Sequence, residues 1–480
     1  MTQPDHRPPC SHRPQYHFTA PQNWINDPNG VCFHAGRYHL YYQYNPNASK
    51  WGDIHWGHAS SADLVTWRDE PLALAPSAGP DAGGCFSGSF AVVDGLPTVY
   101  YTGYTTERQV QCVATSADLI HWTKHPERTL VQPPAGVEGH DFRDPYVFRH
   151  DGHWYMALGA SLDHERGQCL LYRSADGIHW EDRGVLYAAE DSRLGVMWEC
   201  PNFFPLGSPG QEKWVLTVSL WLGLGVHAFV GRFENERFVP EWSGPLDVDA
   251  GAFAHLTTRV PDGRTLQWAW ANEQREQPLI DADGWAGAMT VPRQLGLDAQ
   301  GGLTQAPVAE VALLRQAEVA LQPVADAAPA QRWRFAGRHL DIEARFAAPG
   351  RYKVGLTLLA NPAGSEVTRV VYWPEARRLS IERGRSSLEH GVKRQDVHAH
   401  LLLQPGEDLT LRVLLDGSML EVFANDRVCL TTRVYPTDPA SELGEVYSEG
   451  PDAVDCRVWA MGSMWPEGLV RPPLVKQPVA

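Results

Sequence analysis

A chain of 480 residues is longer than one hydrophobic core ordinarily supports, so two domains are expected. Hydrophobic residues at 43% and charged residues at 20% describe a globular chain, and no run is apolar enough for a transmembrane helix. A net charge of −16, with no Lys/Arg cluster to offset it, argues against nucleic acids and anionic membranes as partners.

Met1 to His17 carries Pro, His and Arg but no apolar run, so it does not read as a secretory signal, and cytoplasmic residence is the expectation. The eight cysteines, from Cys10 to Cys456, form no Cys-x-x-Cys pair. That spacing argues against a zinc site or redox motif and predicts reduced thiols, mostly in the core. No metal or cofactor is expected.

Beyond Tyr16 the chain repeats. Gly36 leads into Arg37-Tyr38-His39-Leu40-Tyr41-Tyr42, and similar aromatic, β-branched runs follow Gly95, Gly152, Gly210 and Gly263, at spacings of 59, 57, 58 and 53 residues. A second marker keeps step. Ser61-Ala62-Asp63-Leu64-Val65-Thr66-Trp67 returns at Ser116 to Trp122 and at Ser174 to Trp180, with offsets of 55 and 58. Short Val-, Tyr-, Trp- and Phe-rich runs between Gly, Asp, Asn and Pro predict antiparallel strands with turns, and no unit holds a convincing amphipathic helix. Units of this size and content fit propeller blades, four-stranded sheets set radially around a channel.

The expected architecture is therefore all-β, with a five-bladed β-propeller over residues 16–300. A linker follows over 301–330, whose Ala-rich part is compatible with a short helix. Strict alternation then sets in, as in Leu409-Thr410-Leu411-Arg412-Val413, and Asp416-Gly417 between two such runs is a hairpin signal. Residues 331–470 are expected to form a β-sandwich.

Three carboxylates sit in cramped, Pro-flanked settings: Asp27 in Trp24-Ile25-Asn26-Asp27-Pro28-Asn29-Gly30, Asp144 in Phe142-Arg143-Asp144-Pro145, and Glu199 in Met197-Trp198-Glu199-Cys200-Pro201. Singly, the first reads as a turn and the second as an ion pair. Their phase joins them. Asp27 precedes Gly36 by nine residues, Asp144 precedes Gly152 by eight, and Glu199 precedes Gly207 by eight or Gly210 by eleven; Ser87 holds the same place before Gly95. Equal phase in a radial array means equal distance from the axis, so these side chains are expected to ring one end of the channel. Prolines one or two residues on restrict the backbone that aims them. Close carboxylates and apolar walls raise proton affinity, so one acid can be protonated while another is ionised. Glu199, beside Trp198 and Pro201, has the more apolar setting and suits the proton donor. Asp27, with Asn26 and Asn29 at hand, suits the nucleophile, and Asp144 is left to bind sugar hydroxyls. That division is the glycosidase arrangement.

The chain resembles glycoside hydrolase family 32, the invertase, sucrose-6-phosphate hydrolase, inulinase and levanase group. Trp24 to Gly30 is similar to its nucleophile motif, Phe142 to Pro145 to its Arg-Asp-Pro motif, and Trp198 to Pro201 to its Glu-Cys acid/base motif. The resemblance implies Asp27 as nucleophile, Glu199 as general acid/base and Asp144, beside Arg143, as the stabiliser of the transition state. Asn26, Gln43, Trp51, Phe86 and Ser87 match positions lining the family's fructose pocket, and Trp24 and Cys200 belong to the same motifs and join the substrate-binding set. Two departures leave substrate preference open: Asn202 stands where the family has an acid, and Phe253-Ala254-His255-Leu256 replaces an aromatic-rich continuation.

The expected activity is retaining β-fructofuranosidase, acting on sucrose, sucrose 6-phosphate or short fructo-oligosaccharides, in a monomer or homodimer. Its rivals are a fructosyltransferase on the same scaffold, a pentoside-cleaving propeller, and a carbohydrate-binding propeller without catalysis.

Overall fold

Ala35-Gly36, Asp94-Gly95 and Asp151-Gly152 each take two successive left-handed positions, with φ of 48° and 80°, 48° and 81°, and 45° and 80°. Positive φ at both central residues makes the hairpin turn whose twist suits its flanking strands, which is why glycine recurs there. The computed structural model describes residues 12–474 except 129–130, 135–136, 163, 189–191, 209, 222–224, 326–329 and 467–468. Within it every repeating glycine lies between the first two strands of a sheet.

Those first strands are β1 (Asn23–His34), β2 (Gly84–Val93), β3 (Val137–His150), β4 (Trp198–Leu206) and β5 (Ala252–Arg259). Each belongs to its own sheet of four or five strands, antiparallel but for one short strand in the first. β1 lies against β2, β2 against β3, β3 against β4, β4 against β5, and β5 against β1, so the first strands close a ring as a propeller requires. Trp285–Ala286 pairs in parallel with β1, while Ala288–Met289 pairs with Trp270 and Ala271 of the last sheet. One short stretch thereby stitches the last sheet to the first.

The Ser-Ala-Asp repeat has a structural role. Asp63 Oδ1 accepts the N–H groups of Val65 and Thr66, Asp118 Oδ1 those of Ile120 and His121, and Asp176 Oδ1 those of Ile178 and His179, at 2.7–3.0 Å. These are Asx turns joining the third and fourth strands of three sheets. The residue after each Asp is left-handed: Leu64 at 71°, Leu119 at 66° and Gly177 at 74°.

Two compact units divide the chain. One is built from Thr19–Asn272 and Trp285–Val311, the other from Glu273–Gly284 and Ala312–Glu467 with the described residues up to Phe18. These bounds differ from the expected ones for a local reason. Leu303–Pro307, expected within the linker, alternates buried and half-buried positions and pairs with Arg293–Leu297 in the last propeller sheet. Arg315–Glu318 pairs with Val454–Met461 in the second unit. The only α-helix among the described residues, Gln277–Asp283, interrupts the last propeller sheet in sequence. No helix there is long and apolar enough to cross a membrane. Six of the seven described cysteines are buried and Cys456 is intermediate; Cys10 lies outside the described residues.

The second unit holds a six-stranded and a seven-stranded antiparallel sheet. Asp416-Gly417 turns Leu409–Asp416 into Met419–Ala424, as the dipeptide suggests. Asp416 is fully buried and accepts the backbone N–H groups of Gln15, Tyr16 and His17 at 2.7–2.8 Å. His17 Nδ1 lies 2.9 Å from Asp416, its Nε2 lies 3.0 Å from buried Glu421, and His339 Nδ1 reaches Asp416 at 2.6 Å. Burial opposes charge on His17, but these carboxylate bonds outweigh it and raise its pKa above the ordinary 6.5. Burial likewise opposes ionisation of Asp416, and the two imidazoles reverse it, holding its pKa well below 3.8.

The raised histidine contributes stability that is complete below pH 6.5 and lost as pH rises through its folded value; the depressed aspartate contributes stability above pH 3.8 that is lost on acidification. In urea denaturation of the full chain the contribution of this cluster, read as the difference between parent and variant, should therefore be constant between those limits. The deficit of His17→Gln should be largest there and shrink as pH rises beyond 6.5, and Asp416→Ala should cost about 3–5 kcal/mol by stranding buried partners.

Candidate active site

Every first strand of the propeller carries a β-bulge at one level. Asn26-Asp27 face Gln43 alone, Phe86-Ser87 face Thr102, Asp144-Pro145 face Leu158, Cys200-Pro201 face Val218, and Ala254-His255 face Ala269. A bulge places two residues opposite one and re-aims their side chains. Asp144, Cys200 and Ala254 adopt φ of 67°, 46° and 54° there, conformations that non-glycine residues rarely take.

The expected equality of phase holds to within two residues, and the slip matters. Asp27 is the second residue of its bulge, Asp144 the first, and Glu199 the last paired residue before its bulge. Glu199 therefore corresponds to Arg143 on the neighbouring strand, not to Asp144. Corresponding positions on adjacent strands meet, and Arg143 Nη2 and Nε donate to Glu199 Oε1 at 2.9 and 3.1 Å. Cys200 corresponds to Asp144, and its backbone N–H donates to Asp144 Oδ2 at 2.9 Å.

Close approach of the two sheets needs a missing side chain. A Cβ at Gly159, paired with Arg143, would sit 2.1 Å from the carbonyl oxygen of Trp198. Only glycine lets the strand bearing Glu199 come so near.

Asp27, Asp144 and Glu199 open onto one cavity of about 580 Å³, together with Asn26, Gln43, Trp51, Phe86 and Arg143. A relay of side chains holds Asp27. Trp24 Nε1 donates to Asn26 Oδ1 at 2.8 Å, Asn26 Nδ2 to Gln43 Oε1 at 2.6 Å and to Asp27 Oδ1 at 3.1 Å, and Ser87 Oγ to Asp27 Oδ2 at 2.6 Å. Cys200 Sγ lies 3.6 Å from both Asp27 Oδ2 and Asp144 Oδ2. Trp24, Ser87 and Cys200, expected to contact substrate, thus contact the acids and Asn26 in this structure.

Burial raises the proton affinity of all three acids. For Asp27, the bonds from Ser87, Asn26 and Cys200 hold part of that rise back. Arg143 restrains Glu199, while Asp27 and Asp141 push it up. Asp144 rises to about 7, since burial and the charges of Glu199 and Asp27 exceed the pull of Arg143. Cys200 is pushed well above the ordinary thiol range by burial and the surrounding acids, so it stays a neutral S–H donor. Arg143 is further occupied by the His140 carbonyl at 2.9 Å and by Gln109 Oε1 at 3.3 Å.

One wall of the cavity is aromatic. Phe86 stacks on Tyr104 at 4.5 Å and 9°, and Trp51, 53% exposed, meets Phe86 edge-on at 6.0 Å. Tyr104, Gln109, Asp141, Trp221, Phe253 and Trp270 also line it and were not among the site residues read from the sequence, where Phe253 figured only as part of a departure from the family. Phe253 and Trp270 carried a signal, since they pair directly before the fifth bulge. Asn202, the residue standing where the family has an acid, lies behind the site. It is fully buried, donating to the carbonyls of Cys200 and His255 and accepting from Thr257, so it ties β4 to β5 and does not line the cavity. Among the described residues no three His, Cys, Asp or Glu side chains are grouped to hold a metal.

The chain matches the Glycosyl hydrolases family 32 N-terminal domain over residues 17–307 and the family 32 C-terminal domain over 310–460. It is 32% identical to a sucrose-6-phosphate hydrolase of Escherichia coli, over 95% of both chains. It is also 32% identical to a raffinose invertase of Escherichia coli, over 93% of this chain and 95% of that one. Among solved structures it is similar to a variant of fructan 1-exohydrolase IIa from Cichorium intybus in complex with 1-kestose, with a TM-score of 0.82 and 27% identity over 94% of this chain and 98% of that one.

Two outcomes follow from the geometry. Gly159→Ala should displace the strand bearing Glu199 and lower kcat/KM about a hundredfold, the size of effect a misplacement near 1 Å produces. Folding ionises Asp144 less readily than an ordinary carboxyl, so its contribution to stability falls as pH rises from 3.8 to about 7. Asp144→Asn should accordingly match the parent at pH 4 and exceed it at pH 8 by up to about 4 kcal/mol in urea denaturation, while losing activity.

Proposed function

Because the chain belongs to glycosyl hydrolase family 32, we propose that it is a retaining β-fructofuranosidase, hydrolysing the terminal β-D-fructofuranosyl bond of sucrose, sucrose 6-phosphate or short fructo-oligosaccharides. The observation that carries this reading is the pairing of two differently supported acids across one cavity: Asp27 held by Asn26 and Ser87, Glu199 held through one oxygen by Arg143. The relatives named above, and the kestose bound in the Cichorium structure, support the same sugar chemistry.

Glu199 gives its proton to the glycosidic oxygen. Both Arg143 bonds fall on Oε1, which leaves Oε2 for the proton, and burial with the neighbouring anions keeps that proton bound. Asp27 attacks the fructosyl anomeric carbon, its two oxygens oriented by Asn26 and Ser87. A covalent fructosyl ester results and the aglycone departs. Glu199, now ionised, takes a proton from water, which releases fructose with its configuration retained. Retention requires carboxyl groups roughly 5 Å apart. Glu199 and Cys200 are consecutive and Cys200 Sγ lies 3.6 Å from Asp27, which supports such closeness. Asp144 accepts a hydrogen bond from the Cys200 backbone and presents its carboxyl to the sugar hydroxyls.

Fructose release from sucrose, sucrose 6-phosphate and inulin, with a pentoside as negative control, tests the activity; fructose from none of the three would refute it. Asp27→Asn should abolish release. Glu199→Gln should lower kcat/KM by about 10²–10⁴ for sucrose and far less for an activated fructoside whose leaving group needs no proton. The bell-shaped pH profile of kcat/KM should have both limbs above those of free carboxyls, because burial raises both acids, and Glu199→Gln should remove the alkaline limb.

A further inference from the structure

Four carboxylates line the cavity, Asp27, Asp141, Asp144 and Glu199, against one guanidinium, Arg143, and one imidazole, His140, among the described residues. The guanidinium is already taken. Its Nε and Nη2 serve Glu199 and its Nη1 serves the His140 carbonyl, with Gln109 and Asp141 also in reach. Three of the four acids are accounted for by the chemistry proposed above; Asp141 is not.

Asp141 lies three residues before Asp144 on β3 and is mostly buried, with 14% of its side chain exposed. One oxygen lies 3.5 Å from Arg143 Nη1, and the other accepts from Nδ1 of the exposed His164 at 3.0 Å. It therefore shares the guanidinium with the general acid, Asp141 beside Nη1 and Glu199 at Nε and Nη2. The aglycone leaves past the general acid, so Asp141 faces the part of the substrate that varies. Its charge is felt at Glu199, where it helps keep the proton bound.

Resting on the fructosidase reading above, we infer that the aglycone this cavity accepts is an uncharged sugar, and that Asp141 is the specificity-determining residue that disfavours a phosphate monoester. A phosphate dianion on the aglycone would enter a space where carboxylates outnumber free cations, and specificity built on such repulsion needs no new attractive contact. The inference separates this chain from the phosphorylated substrate in the name of its Escherichia coli relative. The same repulsion leaves neutral fructo-oligosaccharides unaffected.

The test compares kcat/KM for sucrose and sucrose 6-phosphate at pH 7 and low ionic strength. The expected result is a preference for sucrose of about a hundredfold. Asp141→Asn should narrow that gap by about tenfold through better use of the phosphorylated substrate, and should move the alkaline limb of kcat/KM to lower pH. Added salt should narrow the gap in the parent enzyme, which keeps the inference testable if the variant does not fold. Equal or better cleavage of sucrose 6-phosphate would overturn the inference and leave the fructosidase reading standing. A gap that neither salt nor Asp141→Asn moves would remove Asp141 from its role. Fructose from neither sugar, nor from inulin, would overturn both readings.

Discussion

Three carboxylates crowded against one guanidinium form the arrangement on which the rest of this structure depends. Desolvation raises the proton affinity of Asp27, Asp144 and Glu199, and repulsion from neighbouring carboxylates adds to it at Asp144 and Glu199. What distinguishes them is the local set of donors. Asp27 accepts from Asn26 and Ser87, Glu199 shares Arg143 through a single oxygen, and Asp144 has one backbone N–H and a distant edge of the guanidinium. Different donors around similar acids are what allow one to act as nucleophile and another as proton donor at the same pH.

The fold supplies that crowding by repetition. Five first strands close a ring, and each breaks its ladder at the same level with a bulge. Because the bulges turn side chains toward the axis, acids from three sheets converge although 172 residues separate Asp27 from Glu199. Left-handed Asp144 and Cys200 show that this convergence strains the backbone. The surrounding order offsets it: Thr102 accepts the Asp144 N–H at 2.8 Å, and Asn202 ties β4 to β5. Stability is given up at the acids and recovered in the sheets that carry them.

Much of this was legible in the sequence, for identifiable reasons. Turn glycines and the Ser-Ala-Asp repeat are encoded by local backbone chemistry, so the hairpins at Gly36, Gly95 and Gly152 fall where their spacing put them. The acids were legible because the bulged strands repeat, but only to within two residues. A bulge is a property of pairing register, and nothing in Glu199-Cys200-Pro201 says that the ladder breaks after the glutamate. Tyr104, Gln109 and Trp221 line the cavity from a second strand, a third strand and a connection, without a local mark. Asn202 was read from the sequence only as a departure from the family motif; that its side chain points into the seam between two strands depends on pairing the motif does not encode. The Ala-rich composition near Leu303 concealed a strand whose burial alternates with period two.

The central claim is that Asp27 and Glu199 flank a single anomeric carbon, with Asp27 forming a bond to it. Mass spectrometry of a Glu199→Ala variant quenched in acid after mixing with an activated fructosyl donor tests this most directly, since the ester can form without a proton donor but cannot be hydrolysed without a base. The account predicts a stable mass increment of one fructosyl unit, located by proteolysis to the peptide containing Asp27. An unmodified chain in a variant that still turns over the donor, or a fructosyl group on a peptide lacking Asp27, would contradict it.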